Sequence, residues 1–126
     1  MAGKFIISKA KDGEFFFNLK ASNGEIILTA TDSYKTMEDC EKGIEAVKKN
    51  ALSAVEDQTR SESVALPKYE LYQDKAGEFR FRLKAPDGDI IGKSESYKAK
   101  ASAKKGIASI GKNAPDAAVV VVEAGN

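Results

Sequence analysis

Arg80, Arg82 and Lys84 recur at every second position, a spacing that puts three cations on one face of a strand. Tyr72, in the β-rich run just before, is expected beside them if Tyr69 and Leu71 point inward. Cations interleaved with an aromatic ring can grip phosphates and stack a base. The same row also suits a protein contact. Its plainest reading is a solvated or ion-paired face, with Glu70, Glu78 and Glu95 available as partners across strands. In a matching strand earlier in the chain, Phe16 takes the outward position that Arg80 holds here. It is expected either to form an exposed apolar patch or to pack against the other half of the chain. Arg80, Arg82, Lys84, Tyr72 and Phe16 are thus the candidate binding surface.

Other chemistry is sparse. The chain has no histidine, the commonest general base and metal ligand, and a single cysteine. A structural zinc site and an internal disulfide therefore lack their residues. Cys40 falls on the apolar stripe of a helix with no histidine to activate it, which predicts a buried structural thiol. Glu14 and Glu78 recur at the start of matching strands and are expected to be solvated carboxylates rather than an acid pair. Gly13, Gly24, Gly77 and Gly88 stand singly in turns, so no glycine-rich phosphate loop is present. No catalytic residue, metal or cofactor is expected.

The elements that position these residues are written twice. Gly13–Ala21 (GEFFFNLKA) returns as Gly77–Ala85 (GEFRFRLKA), and Asn23-Gly24-Glu25-Ile26-Ile27 returns as Asp87-Gly88-Asp89-Ile90-Ile91. Tyr34-Lys35 matches Tyr97-Lys98, Gly43-Ile44 matches Gly106-Ile107, and Lys49-Asn50-Ala51 matches Lys112-Asn113-Ala114. The register slips by one residue near Thr29 to Asp32. In each copy a strand of period two is flanked by two shorter β-rich runs, Lys4–Ser8 and Glu25–Ala30, then Lys68–Tyr72 and Asp89–Lys93. Asn23-Gly24 and Asp87-Gly88 are type I′ dipeptides, so each copy opens as a three-stranded antiparallel meander.

A helix follows in each copy. Met37, Cys40, Ile44 and Val47 form one apolar stripe, and Ala103, Ile107 and Ile110 form the other. Thr36 is an N-cap with Glu38 and Asp39 behind it, and Pro115 closes the second helix. Gly43 and Gly106 interrupt both stripes at the same place, at a cost of about 1 kcal/mol each against alanine. That coincidence predicts a helix backbone lying directly on the sheet. Tyr34 and Tyr97 are expected over the sheet end with wet hydroxyls. Ala54-Val55-Glu56 and Ala118–Val122 are candidate trailing strands, the second more convincing than the first.

The paired GEF-F-LKA strands, the N/D-G-x-I-I turn and the Y-K…G-I…K-N-A helix resemble the bacterial YegP-like family of uncharacterised proteins. The likeness covers nearly the whole chain and both copies. It implies a β-β-β-α unit with a short trailing strand, found in one copy or two, the tandem form looking like a covalent version of a single-copy homodimer. No established activity comes with the family, so no functional residue is carried over. This chain departs from the family's pattern in having no tryptophan, with Phe17 and Phe81 at the aromatic strand positions.

The expected fold is therefore α+β, two tandem β-β-β-α repeats arranged as a pseudo-twofold dimer. The first repeat spans residues 1–56, a linker 57–67, and the second repeat 68–126, the two packing as one body because each is thin alone. The 20 basic and 19 acidic side chains nearly cancel, which disfavours a dedicated nucleic-acid or membrane-surface binder. Met1-Ala2-Gly3-Lys4-Phe5 contains no apolar leader, so a cytoplasmic protein is expected. The expected function is a small non-catalytic binding or structural module that engages a protein partner, monomeric with an internal pseudo-dimer. The alternative is a weak nucleic-acid binder using the Arg80, Arg82 and Lys84 face.

Overall fold

The computed structural model describes residues 3–122, arranged as eight strands and two helices. The first repeat supplies β1 (Lys4–Lys9), β2 (Phe15–Lys20), β3 (Ile26–Thr29), α1 (Met37–Asn50) and β4 (Ala54–Asp57). The second supplies β5 (Lys68–Gln73), β6 (Phe79–Lys84), β7 (Ile90–Lys93), α2 (Lys100–Asn113) and β8 (Ala118–Val122). All strands join one mixed sheet in the order β4-β5-β6-β7-β3-β2-β1-β8. The two meanders meet at β3 and β7, where Thr29 stands opposite Lys93.

The trailing strands do not return to their own repeats. β4 pairs in parallel with β5, and β8 pairs in parallel with β1. The helices cross in the same way: α1 packs on β2 and β7, α2 on β6 and β3. A trailing strand is thus present in both copies, and β4 runs one residue beyond Glu56, taking in Asp57 from the expected linker.

Alternation places the core. Phe5, Ile7, Phe17 and Leu19 in the first repeat and Tyr69, Leu71, Phe81 and Leu83 in the second are fully buried beneath the helices. Removing one such side chain from water stabilises by about 1.5–3 kcal/mol. The helices answer with Cys40, Ile44 and Val47, and with Ala103, Ile107 and Ile110, all buried as their stripes require. Thr36 caps α1 as expected, its hydroxyl accepting from the Asp39 amide at 3.0 Å.

Two expectations need correction. The hairpin turns are not type I′, which needs a left-handed non-glycine residue; none occurs among the described residues. Instead the Gly24 amide donates to the Ala21 carbonyl and the Ala21 amide to the Glu25 carbonyl. That is a three-residue loop with glycine alone left-handed, at φ +88° for Gly24 and +90° for Gly88. The Asn23 and Asp87 side chains accept the next-but-one amide instead of adopting a left-handed backbone.

The second correction concerns the mid-helix glycines, because Tyr34 and Tyr97 lie over the sheet end as expected, opposite Phe15 and Phe79. Tyr34 stacks on Phe17 with centroids 6.2 Å apart, and Tyr97 on Phe81 at 6.1 Å. Each hydroxyl is aimed at the mid-helix glycine, and a Cβ on Gly106 would stand 2.7 Å from the Tyr97 oxygen. The glycines thus make room for a tyrosine and a phenylalanine, not for bare sheet. Burial raises the pKa of both phenols.

Candidate functional site

Both helices lie on one face of the sheet, so the other face is open. A single row of side chains crosses all eight strands there: Glu56, Glu70, Arg82, Lys93, Thr29, Asn18, Ile6 and Val120. The first four and last four occupy corresponding positions in the two arms of the sheet. The row is charged at the β4 end, neutral and hydrogen-bonded in the middle, and apolar at the β8 end. The Thr29 hydroxyl donates to Asn18 at 2.9 Å.

The charged end holds most of the sequence candidates, and it neutralises them. Glu70 is buried, with its carboxylate 2.6 Å from Arg82 Nε, 3.2 Å from Lys84 Nζ and 3.4 Å from Lys68 Nζ. Burial pushes its pKa up, but the bonds from Arg82 and Lys84 outweigh burial, and the net shift is downward. Arg80 pairs with Asp74 at 2.8 Å, and that contact holds the Asp74 carboxyl below its usual range. Tyr72 lies beside the row as expected, with the Arg82 guanidinium 4.7 Å from its ring centre. Of the expected acidic partners, Glu70 alone pairs; no ion pair involves Glu78 or Glu95 among the described residues. Glu14 accepts from the Ser33 hydroxyl.

A second set of charges was not legible as a site. Glu56 accepts from Lys68 Nζ at 2.8 Å, from Gln58 Nε2 at 2.8 Å and from the Val64 amide at 2.9 Å. The Lys68 bond contributes most to lowering its pKa to about 2. Asp57 is likewise lowered to about 2, chiefly by the Thr59 hydroxyl and then by Lys100, whose Nζ stands 3.0 Å away. Lys100 opens α2, where a cation opposes the helix dipole, and its ion pair ties that helix start to the end of β4. The segment after β4 is therefore folded onto the sheet edge. Alternation in β5 puts Lys68 on the face of Glu70, but β4 becomes the neighbour of β5 only through the crossover.

Phe16 lies half-buried in β2, opposite Ser8 of β1 in its own repeat. On the same face stand Ile6, Val120 and Val122. The whole of β8 is exposed, its four valines between 39% and 51%.

Elsewhere the chemistry is thin. Cys40 is buried, and burial pushes its thiol up to about 11, the reverse of nucleophile activation. A groove of about 830 Å³ opens between the end of α1 and the β6–β7 turn, walled by Lys42, Lys48, Lys49, Glu45 and Asp87. Its lining contains no serine, threonine, tyrosine, cysteine or histidine. No cluster of three metal-ligating side chains occurs among the described residues. No helix among them is long and apolar enough to cross a membrane.

A repeated three-stranded meander with one helix, set in a single mixed sheet, defines an α+β tandem-repeat protein. The chain belongs to the family described as a domain of unknown function, DUF1508, whose model matches residues 10–57 and 74–120. It is 44% identical over 122 residues to a UPF0339 protein from the ptx operon 5′ region of Stutzerimonas stutzeri, covering 97% of this chain and 98% of that one. It is 40% identical over 116 residues to the UPF0339 protein YegP of Escherichia coli K12, covering 90% and 91%. Among solved structures, the solution structure of E. coli YegP, titled a protein of unknown function, superposes with a TM-score of 0.80 at 36% identity. That match covers 100% of this chain and 97% of that one. A UPF0339 protein of Shewanella oneidensis gives the same TM-score at 30% identity, covering 100% and 96%.

Proposed function

We propose that the protein is a small non-catalytic binding module that engages a protein partner through the apolar end of its open sheet face. The observation that carries this reading is the polarity of the cross-strand row, from Glu56 and Glu70 at one end to Ile6 and Val120 at the other. Charged groups at the first end satisfy one another and are held in place. The second end presents Ile6, Phe16, Val120 and Val122 without a cover among the described residues. A contiguous apolar patch of that kind is the usual mark of a protein contact. The exchange of β4 and β8 between repeats supports a pseudo-dimer, with a twofold passing between β3 and β7 and two repeats that fold as one body.

The test is a defined substitution rather than capture alone. Phe16→Asp should abolish co-purification of the partner and leave the thermal midpoint within a few degrees of the parent. Loss of folding in Phe16→Asp, with retained capture in Ile6→Lys, would assign these side chains to the core instead.

Nucleic acid is the second reading, favoured by the Arg82–Tyr72 stack beside Lys93. Glu70 and Asp74 weaken it, because each cation they hold must first be released. A probe that is not retarded even at low salt would dispose of it.

A further inference from the structure

We propose that β8 is a self-pairing edge, through which two copies of this chain join antiparallel into one continuous sheet of sixteen strands. The proposal deepens the protein-contact reading, on which it rests, by naming the partner as a second copy.

The two edges of the sheet are built differently. The β4 edge carries Glu56 and Asp57, both held in ion pairs, and the segment that follows folds back on it through the Glu56 contact to the Val64 amide. Charge and a covering loop are the standard protections against strand addition. Among the described residues, the β8 edge has neither. Its sequence is Ala-Val-Val-Val-Val, it lies outermost, and all five side chains are exposed. A flat apolar strand with a free row of amides and carbonyls is a template for another strand.

The occupant follows from the strand itself. Antiparallel pairing of β8 with its own copy, centred on Val120, sets Val119 against Val121 and Ala118 against Val122. Val120 then meets Val120 of the second copy. No charge is opposed anywhere in this register, and β-branched residues pair well across strands. Such a contact is isologous and closes at two copies. Head-to-tail growth would need β8 of one copy to add to β4 of the next, and the acids and the covering segment there block it. The result is a dimer of tandem chains, in place of the monomer expected from the sequence. The open-face side chains Ile6, Val120 and Val122 of each copy run on into those of the other.

The experiment measures mass in solution, by sedimentation or light scattering, on the full chain across a concentration series. The parent should reach twice the monomer mass. Val120→Lys places two ammonium groups directly opposite each other and should weaken dimerisation at least about tenfold, with unchanged circular dichroism. Val120→Glu should do the same alone, and a mixture of the two variants should restore a dimer containing one of each. That rescue cannot come from a variant that merely unfolds. A parent that stays monomeric, a dimer indifferent to both charges, a failed rescue, or open-ended polymers would each overturn the proposal. If the parent is monomeric while Phe16-dependent capture persists, self-pairing is lost and the protein-contact reading stands; if capture is also absent, both fall.

Discussion

Leu28 of the first repeat fills the space that Gly92, its counterpart in the second, leaves open. The two lie where β3 meets β7, and a Cβ on Gly92 would stand 2.7 to 2.9 Å from three Leu28 side-chain carbons. Leu28 is fully buried and has nowhere to retreat. Two identical residues at this junction would therefore collide or leave a void, and the duplicated chain resolves this by making the pair unequal. Gly92→Ala is expected to destabilise by about 1–3 kcal/mol through overpacking, and Leu28→Ala by about 2–5 kcal/mol through a cavity. The double variant should cost less than the sum by at least about 0.5 kcal/mol, the signature of residues sharing one space. Denaturant titration of the four proteins measures this.

The mid-helix glycines make a second case. Gly106→Ala gains about 1 kcal/mol in helix propensity, but the new methyl meets the Tyr97 hydroxyl at 2.7 Å and Phe81 at 3.1 Å. Overpacking should win, giving a net loss of roughly 1 kcal/mol. Tyr97→Phe removes the hydroxyl, so the Gly106→Ala/Tyr97→Phe pair should recover part of that loss in thermal melts. An additive result would mean the hydroxyl is not what excludes the side chain.

Glu70 is the keystone of the charged end. Glu70→Gln keeps the volume and removes the charge, leaving Arg82 and Lys84 without their carboxylate beside a Lys68 still held by Glu56. Stability should fall by about 1.5–3 kcal/mol, the range for hydrogen bonds to charged groups. The same substitution frees Arg82 and Lys84, while Lys68 keeps Glu56. If the nucleic-acid reading holds, Glu70→Gln should bind single-stranded probes more tightly than the parent at low salt, and the gain should fade as salt rises. Unchanged or absent binding counts against that reading.

How far the sequence was legible depended on the range of each interaction. The meanders and both helices follow from local period and capping: Phe79, Phe81 and Leu83 alternate, and Cys40, Ile44 and Val47 stripe one helix face. The turn type was missed because Asn23-Gly24 favours two geometries, and only the carbonyl of Ala21 decides between them. The helix glycines were marked as sterically required, but the tyrosine that requires each is brought there by tertiary packing. In the candidate site, Arg80, Arg82, Lys84 and Tyr72 were placed on the right face by alternation. What neutralises them was only partly visible, because β4 reaches β5 through a crossover that no local pattern announces. The β8 edge was read as a strand, but its outermost place is a property of the whole sheet.

Acid stability provides the last test. Glu56 and Asp57 have folded pKa values near 2, against about 4.3 and 3.9 for unperturbed side chains. Their folded pKa values are depressed, so the folded state binds these protons less readily than the unfolded chain. The stabilisation is complete above about pH 5 and is lost as pH falls through 4 towards 2. Glu70 and Asp74 are shifted in the same direction and add to the slope. The parent should therefore lose stability steeply between pH 5 and 2. Asp57→Asn should flatten that loss, while costing stability at neutral pH where the Lys100 contact is whole. The β4 end would then melt more readily, because Lys100 would lose the partner that offsets its place at the start of α2. Thermal midpoints of parent and variant, measured at unit steps from pH 2 to 7, decide the matter: curves that stay parallel throughout would show that Asp57 does not hold the charge relationship assigned to it.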